Sequence, residues 1–98
     1  MTLEQVRAAA APVCIELGVK RLDVFGSLAR GEATRHSDLD LLVEFNDPQH
    51  GLHRRFFRLL HYLEDTLDCK VDLLTPSGLK NPYFQRRVLR ERVPIYGG

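Results

Sequence analysis

The sequence predicts an α/β (α+β) protein in which a small mixed β-sheet of three to four strands is covered by helices. Two observations predict this class. Segments with apolar residues three and four positions apart, typical of helices, occur along the chain with shorter apolar segments typical of strands. The connection between the first two predicted strands is short for a parallel crossover, which indicates mixed strand directions. The chain of 98 residues is expected to form one domain, 1–98, with a small core.

The first half of the chain predicts a helix, a strand and a loop. Thr2 followed by Gln5 fits a capping box at a helix start, and Gly18 fits a helix end. Between these two ends, apolar residues return at helical spacing. The predicted elements are a helix between Thr2 and Gly18, a strand at 20–25, and a loop at 26–37 with at most one or two helical turns.

The segment 38–45 is the clearest predicted strand, because alternate side chains along it fall on opposite faces of a sheet. One face carries an unbroken apolar row and the other carries three acids. A helix of about four turns with one apolar stripe should follow, then a third strand, a loop and a last helix. These elements are expected at 52–67, 70–75, 76–82 and 83–92, with a short tail or an edge strand at 93–96.

The net charge of the chain is +1, so the chain as a whole does not attract polyanions. A basic excess is nevertheless concentrated in the second half. Solvated helix faces are the favoured interpretation, ahead of a nucleic-acid surface, and a docking face for an acidic protein partner is a third. The residues concerned are Arg54, Arg55, Arg58, Arg86, Arg87, Arg90 and Arg92.

The two cysteines, Cys14 and Cys69, lie in apolar helical stretches without CxxC spacing, so they do not predict a zinc site. Free thiols in a reducing cytosol are the favoured interpretation. The sequence shows neither a signal peptide nor a transmembrane run. We therefore expect a cytoplasmic protein without a membrane partner.

Asp38 and Asp40 are the first candidate site residues. Carboxylates two positions apart on a strand project from the same face, where they repel each other. A divalent cation removes that repulsion, and ligands that are all oxygen suit magnesium, or manganese, rather than zinc. Taken alone, the pair would still favour two solvent-facing acids on an exposed strand.

Two further features suggest a phosphate site beside a metal. Gly26 and Ser27 follow a predicted strand, where glycine lets the backbone approach an anion and serine offers a hydroxyl and an amide. Arg30 either pairs with phosphate or braces the loop. An acid such as Asp72 is unfavourable in an apolar strand unless it has a functional role. That role would be a third metal ligand or the base that takes a proton from an acceptor hydroxyl. An ordinary turn and an exposed edge-strand aspartate are the alternatives.

The chain resembles the DNA polymerase beta-like nucleotidyltransferase superfamily in two segments, GSLARG at 26–31 and SDLDLLV at 37–43. It is most similar to the small MNT-type members, and the resemblance covers nearly the whole chain. The resemblance implies a polymerase beta-like nucleotidyltransferase fold, magnesium held by the aspartates, and ATP as substrate. Ser37 is expected mainly to support the loop. The expected roles are catalysis and metal binding for Asp38, Asp40 and Asp72, and nucleotide binding for Gly26, Ser27, Arg30 and Ser37.

The resemblance also implies a partner. Small MNT proteins are often the antitoxin half of a pair with a HEPN-domain ribonuclease toxin, and such antitoxins transfer AMP from ATP to a tyrosine of the toxin. We therefore expect a magnesium-dependent nucleotidyltransferase whose acceptor is a hydroxyl of a HEPN-domain toxin. Direct nucleic-acid binding is not expected, and the sequence leaves open the base preference and whether the chain forms a homo- or hetero-oligomer.

Two alternatives remain. A non-catalytic antitoxin would neutralise its partner by binding alone, although the intact carboxylates argue against it. Transfer to a small molecule, as in aminoglycoside-modifying relatives, is disfavoured because nothing in the chain looks large enough to build a drug pocket unless a dimer supplies a second wall.

Overall fold

The computed structural model describes residues 1–97, over which the chain forms three α-helices, a 3-10 turn and four strands. Gly98, the last residue of the predicted domain, lies outside the described residues. None of the helices formed by residues 1–97 combines the length and the apolar character that a membrane span requires. The elements are α1 (Leu3–Leu17), β1 (Val19–Phe25), β2 (Leu39–Phe45), α2 (Leu52–Leu67), β3 (Val71–Leu74), the 3-10 turn (Pro76–Gly78), α3 (Pro82–Glu91) and β4 (Val93–Gly97).

The four strands form one mixed sheet in the order β3-β2-β1-β4. The β1 strand is antiparallel to both of its neighbours, whereas β2 and β3 are parallel. The predicted fold class is confirmed. The segment that the sequence left as a tail or an edge strand is β4, which pairs with β1 at the edge of the sheet.

The sheet is covered unequally on its two faces. The α1 and α2 helices pack on one face, where the odd-numbered residues of β2 contribute four buried apolar side chains to the main core. The α3 helix covers part of the other face, where Val88 packs against Phe25, Leu42 and Leu79. The alternation predicted for this strand is therefore confirmed, and it places Asp40 on the α3 face with Leu42.

The caps of α1 are those the sequence predicts. The Gln5 amide donates to the Thr2 hydroxyl at 3.1 Å, and the Thr2 amide donates to the Gln5 side chain at 2.8 Å. Gly18 ends the helix in the left-handed conformation, with φ of 68°. Burial raises the pKa of the Cys14 thiol in α1 to about 12, so this free cysteine is an inert core residue.

Two predicted strands are shorter in the structure. Asp38 precedes β2, and Lys70 precedes β3, because parallel pairing begins only at Leu39 opposite Val71. The Leu39 amide donates a hydrogen bond to the Lys70 carbonyl at 3.0 Å, where the hydrogen bonding between the two strands begins. Asp38 therefore lies at the rim of the sheet rather than within a strand.

A buried ion pair attaches the end of α3 to β1. Asp23 is 1% exposed and accepts a hydrogen bond from Arg21 Nε at 2.8 Å. Arg92, the C-cap of α3, approaches the same Asp23 oxygen at 3.6 Å, while the other carboxylate oxygen has no hydrogen-bond partner among residues 1–97. Removing one member of a buried charge cluster leaves the others uncompensated.

We expect Asp23→Asn to lower the free energy of unfolding by about 1–3 kcal/mol, because Arg21 and Arg92 then lose their counter-ion. Glu16→Gln is the matched control, since Glu16 makes an exposed pair with Arg58 and should change stability by less than about 0.5 kcal/mol. Urea unfolding of both variants measures the difference. Equal stability of the two variants would contradict a stabilising role for the buried pair.

Candidate active site

One cleft, lined by both the sheet and α3, brings together every residue that the sequence assigned to a site. Its volume is about 450 Å³. Residues from the end of β1, the following loop, β2, β3 and α3 all contribute to its walls. The sequence-assigned residues that line it are Gly26, Ser27, Arg30, Ser37, Asp38, Asp40 and Asp72.

Asp40 and Asp72 are direct partners across the parallel pair of β2 and β3. Both lie on the α3 face of the sheet, since each is two residues from a leucine, Leu42 or Leu74, that packs beneath α3. Asp38 is exposed at the rim. The structure thus places two of the three carboxylates side by side and the third at the mouth of the same cleft.

The carboxylates repel one another. Burial raises the pKa of the Asp40 carboxyl, and the negative charges of Asp72 and Asp38 raise it further, whereas the positive charge of Arg30 opposes the change. Asp38 has one cation nearby, because Lys70 Nζ lies 3.9 Å from its Oδ2. A cation bound among these carboxylates would therefore stabilise the site by reducing their mutual repulsion.

A divalent cation fits this donor set by its chemistry. Within residues 1–97, no three His, Cys, Asp or Glu side chains form a preformed metal-binding group. The oxygen-only donors of Asp40 and Asp72, with Asp38 at the rim, are nevertheless those that magnesium or manganese prefers. These three residues are the ones that would hold such an ion, and it would relieve the repulsion felt by Asp40.

Gly26 is required where β1 meets the carboxylates. Its φ is +76°, and a Cβ at this position would lie 2.1 Å from Asp40 Oδ2. A residue with a side chain would therefore push the Asp40 carboxylate out of place. Beyond Gly26 the loop makes turns rather than a helix, with the Arg30 amide donating to the Gly26 carbonyl at 3.1 Å. The predicted loop with little helical structure is confirmed.

Glu91 is a site residue that the sequence analysis missed. Its carboxylate accepts a hydrogen bond from the Gly26 amide at 2.9 Å and two from the Arg30 guanidinium at 3.1 and 3.2 Å. Arg30 therefore braces the loop against α3 in this structure, which is one of the two roles expected for it. The signal available in the sequence was a single acid within an arginine-rich helix.

Ser37 shapes the loop that precedes Asp38. The Ser37 hydroxyl accepts a hydrogen bond from the Thr34 amide at 3.0 Å, and the Ser37 amide donates one to the Thr34 carbonyl at 3.0 Å. The expected support of the loop is thus present. A nucleotide contact by Ser37 stays a prediction.

A second, larger cavity lies on the other side of Asp38. It has a volume of about 770 Å³ and is bounded by α1, the end of α2 and the loop before β2. Ser37 and Asp38 line both cavities, but Asp40 and Asp72 line only the smaller one. The larger volume is within the range of small-molecule sites, about 300–1,000 Å³. The sequence argument against a small-molecule acceptor did not anticipate this space beside Asp38.

The chain belongs to the nucleotidyltransferase domain family, whose model matches residues 9–95. It is accordingly an enzyme of the nucleotidyltransferase class. Among its relatives, the protein adenylyltransferase MntA of Thermococcus cleftensis is 40% identical over 99 residues, with 97% of each chain covered. A solved structure provisionally named a minimal nucleotidyltransferase is 43% identical, with 96% of both chains covered and a TM-score of 0.75.

Two solved toxin–antitoxin structures share the fold at lower identity. One, determined with AMP-PNP, is 20% identical with a TM-score of 0.73 over 94% of this chain and 73% of the other. The other, described as a tri-AMPylated Shewanella oneidensis HEPN toxin in complex with MNT antitoxin, is 17% identical with a TM-score of 0.65 over 99% and 74%. The predicted resemblance to MNT-type nucleotidyltransferases is confirmed.

We expect Gly26→Ala to weaken the binding of ATP with magnesium by at least about tenfold, because the new methyl group displaces the Asp40 carboxylate. Gly31→Ala is the matched control. Its φ of +73° imposes a similar backbone penalty, but nothing lies within 4 Å of the added Cβ. Calorimetric titration of both variants measures the difference. Equal affinities would show that the close approach of Gly26 to Asp40 has no role in binding.

Proposed function

We propose that this nucleotidyltransferase transfers AMP from ATP to a hydroxyl group of a partner protein and acts as an antitoxin. The observation that carries the proposal is the cleft in which the paired Asp40 and Asp72 carboxylates adjoin the Gly26-Ser27 loop. Carboxylates suited to a divalent ion, next to backbone amides suited to phosphate, are the parts that phosphoryl-group chemistry needs. The relative named protein adenylyltransferase MntA supports AMP as the transferred group.

The residues have separate tasks in the proposed reaction. The acceptor oxygen attacks the α-phosphorus of ATP, the bond to pyrophosphate breaks, and the proton of the hydroxyl passes to Asp72. Asp72 is exposed and lies beside Asp40, so an incoming acceptor can reach it. Pyrophosphate leaves toward Gly26 and Ser27. Asp38 and Asp40, with Asp72 as the third candidate ligand, would hold a magnesium ion, which would supply charge neutralisation during the transfer.

A HEPN-domain toxin is the proposed partner, and a tyrosine of that toxin is the proposed acceptor. A chain of the solved complex of a tri-AMPylated HEPN toxin with an MNT antitoxin shares this fold, which supports the proposal. The complex with AMP-PNP supports ATP as the nucleotide. A cytoplasmic site of action and the absence of direct nucleic-acid binding stay predictions, as does the oligomeric state.

We expect the double variant Asp38→Ala with Asp40→Ala to lose transfer by roughly 10³-fold or more, because electrostatic stabilisation of the transition state is removed. The fold should survive or gain stability, since the variant removes two of the three carboxylates that repel one another in the cleft. Incorporation of labelled AMP into the purified partner measures transfer, and thermal unfolding measures stability.

Asp65→Ala, an exposed change on α2 away from the cleft, is the control for this experiment. Transfer retained by the double aspartate variant would exclude the assigned catalytic role. Loss of transfer with full neutralisation of a co-expressed toxin would support the binding-only antitoxin instead.

The exposed arginines of α3 are the proposed docking surface for the partner. Arg86→Glu with Arg90→Glu reverses two exposed charges and should reduce co-purification of the partner by about tenfold or more. Arg54→Glu with Arg58→Glu is the matched control, because α2 lies on the opposite face of the sheet. Equal loss in both variants would indicate a net-charge effect, and no loss in the α3 variant would exclude that surface.

A small-molecule acceptor is the second candidate, and the cavity of about 770 Å³ beside Asp38 favours it. Incubation with labelled ATP and a cell lysate distinguishes the two classes of acceptor. Label in the protein fraction supports the partner protein, whereas label confined to small molecules supports the second candidate.

A further inference from the structure

The cleft changes chemical character along its length. At one end, the amide of Gly26 and the guanidinium of Arg30 meet the carboxylate of Glu91. The acids Asp40 and Asp72 line the sheet side of the same cleft, and Asp40 is the cross-strand partner of Phe25. Another part of the lining is apolar, because β3 and α3 contribute Leu74 and Phe84 beside Phe25.

This order follows from the path of α3 across the sheet. The helix begins after the 3-10 turn that follows β3 and ends where Glu91 contacts the end of β1. Phe84, Arg87 and Glu91 are spaced so that they lie on one face of the helix, and all three line the cleft. Phe84 and Glu91 are separated by a helical rise of about 10 Å. The backbone of Phe84 is therefore about two helical turns from Glu91, and its ring lies against Phe25.

Phe84 is unusual among the cleft residues because it is a large apolar side chain that is 41% exposed. Its ring makes an edge-on contact with Phe25, with centroids 6.1 Å apart and an interplanar angle of 75°. One ring is thus fixed in position while much of its surface faces the cleft. The Arg87 guanidinium lies on the same wall, held loosely by Glu91 at 3.8 Å.

We propose that Phe84, with Leu74 and Arg87, forms the subsite for the nucleobase of the nucleoside triphosphate. An exposed aromatic ring is a stacking platform for a base, and an arginine beside it adds cation–π contact and hydrogen-bond donors. The phosphates then extend past the carboxylates to the Gly26-Ser27 loop. The subsite rests on the proposed function, because it requires that the cleft takes a nucleotide.

The test separates the base from the phosphates by using two ligands, ATP and inorganic tripolyphosphate, each with magnesium. Phe84→Ala should weaken ATP binding roughly 5- to 150-fold, the range that corresponds to one base–aromatic stack. Tripolyphosphate carries no base, so its affinity should be unchanged. Calorimetric titration of the isolated chain measures both affinities without a partner protein.

Three further variants define the cause of any loss. Tyr83→Ala removes an aromatic side chain that is 76% exposed on the same helix but outside the cleft, and it should bind ATP as the unaltered chain does. Phe84→Tyr keeps the ring and should retain ATP affinity. Phe84→Leu keeps an apolar contact to Phe25 without an aromatic face, so it should bind ATP weakly while unfolding at the same urea concentration as Phe84→Tyr.

The possible outcomes separate the base subsite from the proposed nucleotidyltransferase function on which it rests. Normal ATP affinity in Phe84→Ala, or an equal loss for ATP and tripolyphosphate, would overturn the base subsite and leave the nucleotidyltransferase proposal intact. An unaltered chain that binds neither ligand would overturn both. A selective loss for ATP that Phe84→Tyr restores is the result we expect.

Discussion

The parallel register of β2 and β3 places two like-charged carboxylates side by side, and the rest of the site depends on it. A shift of β2 by one residue would turn Asp40 toward α1 and α2 and would move Leu41 out of the core. The register is held by apolar residues of both strands that pack into the α1–α2 core. The alternation that builds this core therefore also places the acids on the opposite face, which α3 covers in part.

The position of α3 depends on two contacts at its end. Glu91 binds the loop after β1 through Gly26 and Arg30, and the next residue, Arg92, approaches the buried Asp23 of β1. The Glu91 contacts shape the Gly26 side of the cleft, and the Arg92 contact anchors the helix to the sheet. Because the residues are adjacent, we expect a change that loosens the buried ion pair to disturb the contacts of Glu91 with the loop as well. Stability and site geometry are coupled at this point.

Local patterns made most of the fold and the sequence-assigned residues predictable. Alternation within β2, the capping box of α1 and the two motif segments are all read over a few neighbouring residues. Glu91 and Phe84 could not be found in this way. The Gly26–Glu91 contact joins residues 65 positions apart, and it exists because Val88 fixes which face of α3 meets the sheet. The rim position of Asp38 likewise depends on where pairing with β3 begins.

Unequal helical cover explains why the cleft lies where it does. Two helices of 15 and 16 residues cover one face of the sheet, whereas α3 has 10 residues. The shorter helix leaves the strand ends around Asp40 and Asp72 uncovered, so charged groups there keep access to water and to ligands. Covering these carboxylates completely without a counter-ion would be strongly unfavourable. The incomplete layer is thus the condition under which a small domain can keep acids beside its core.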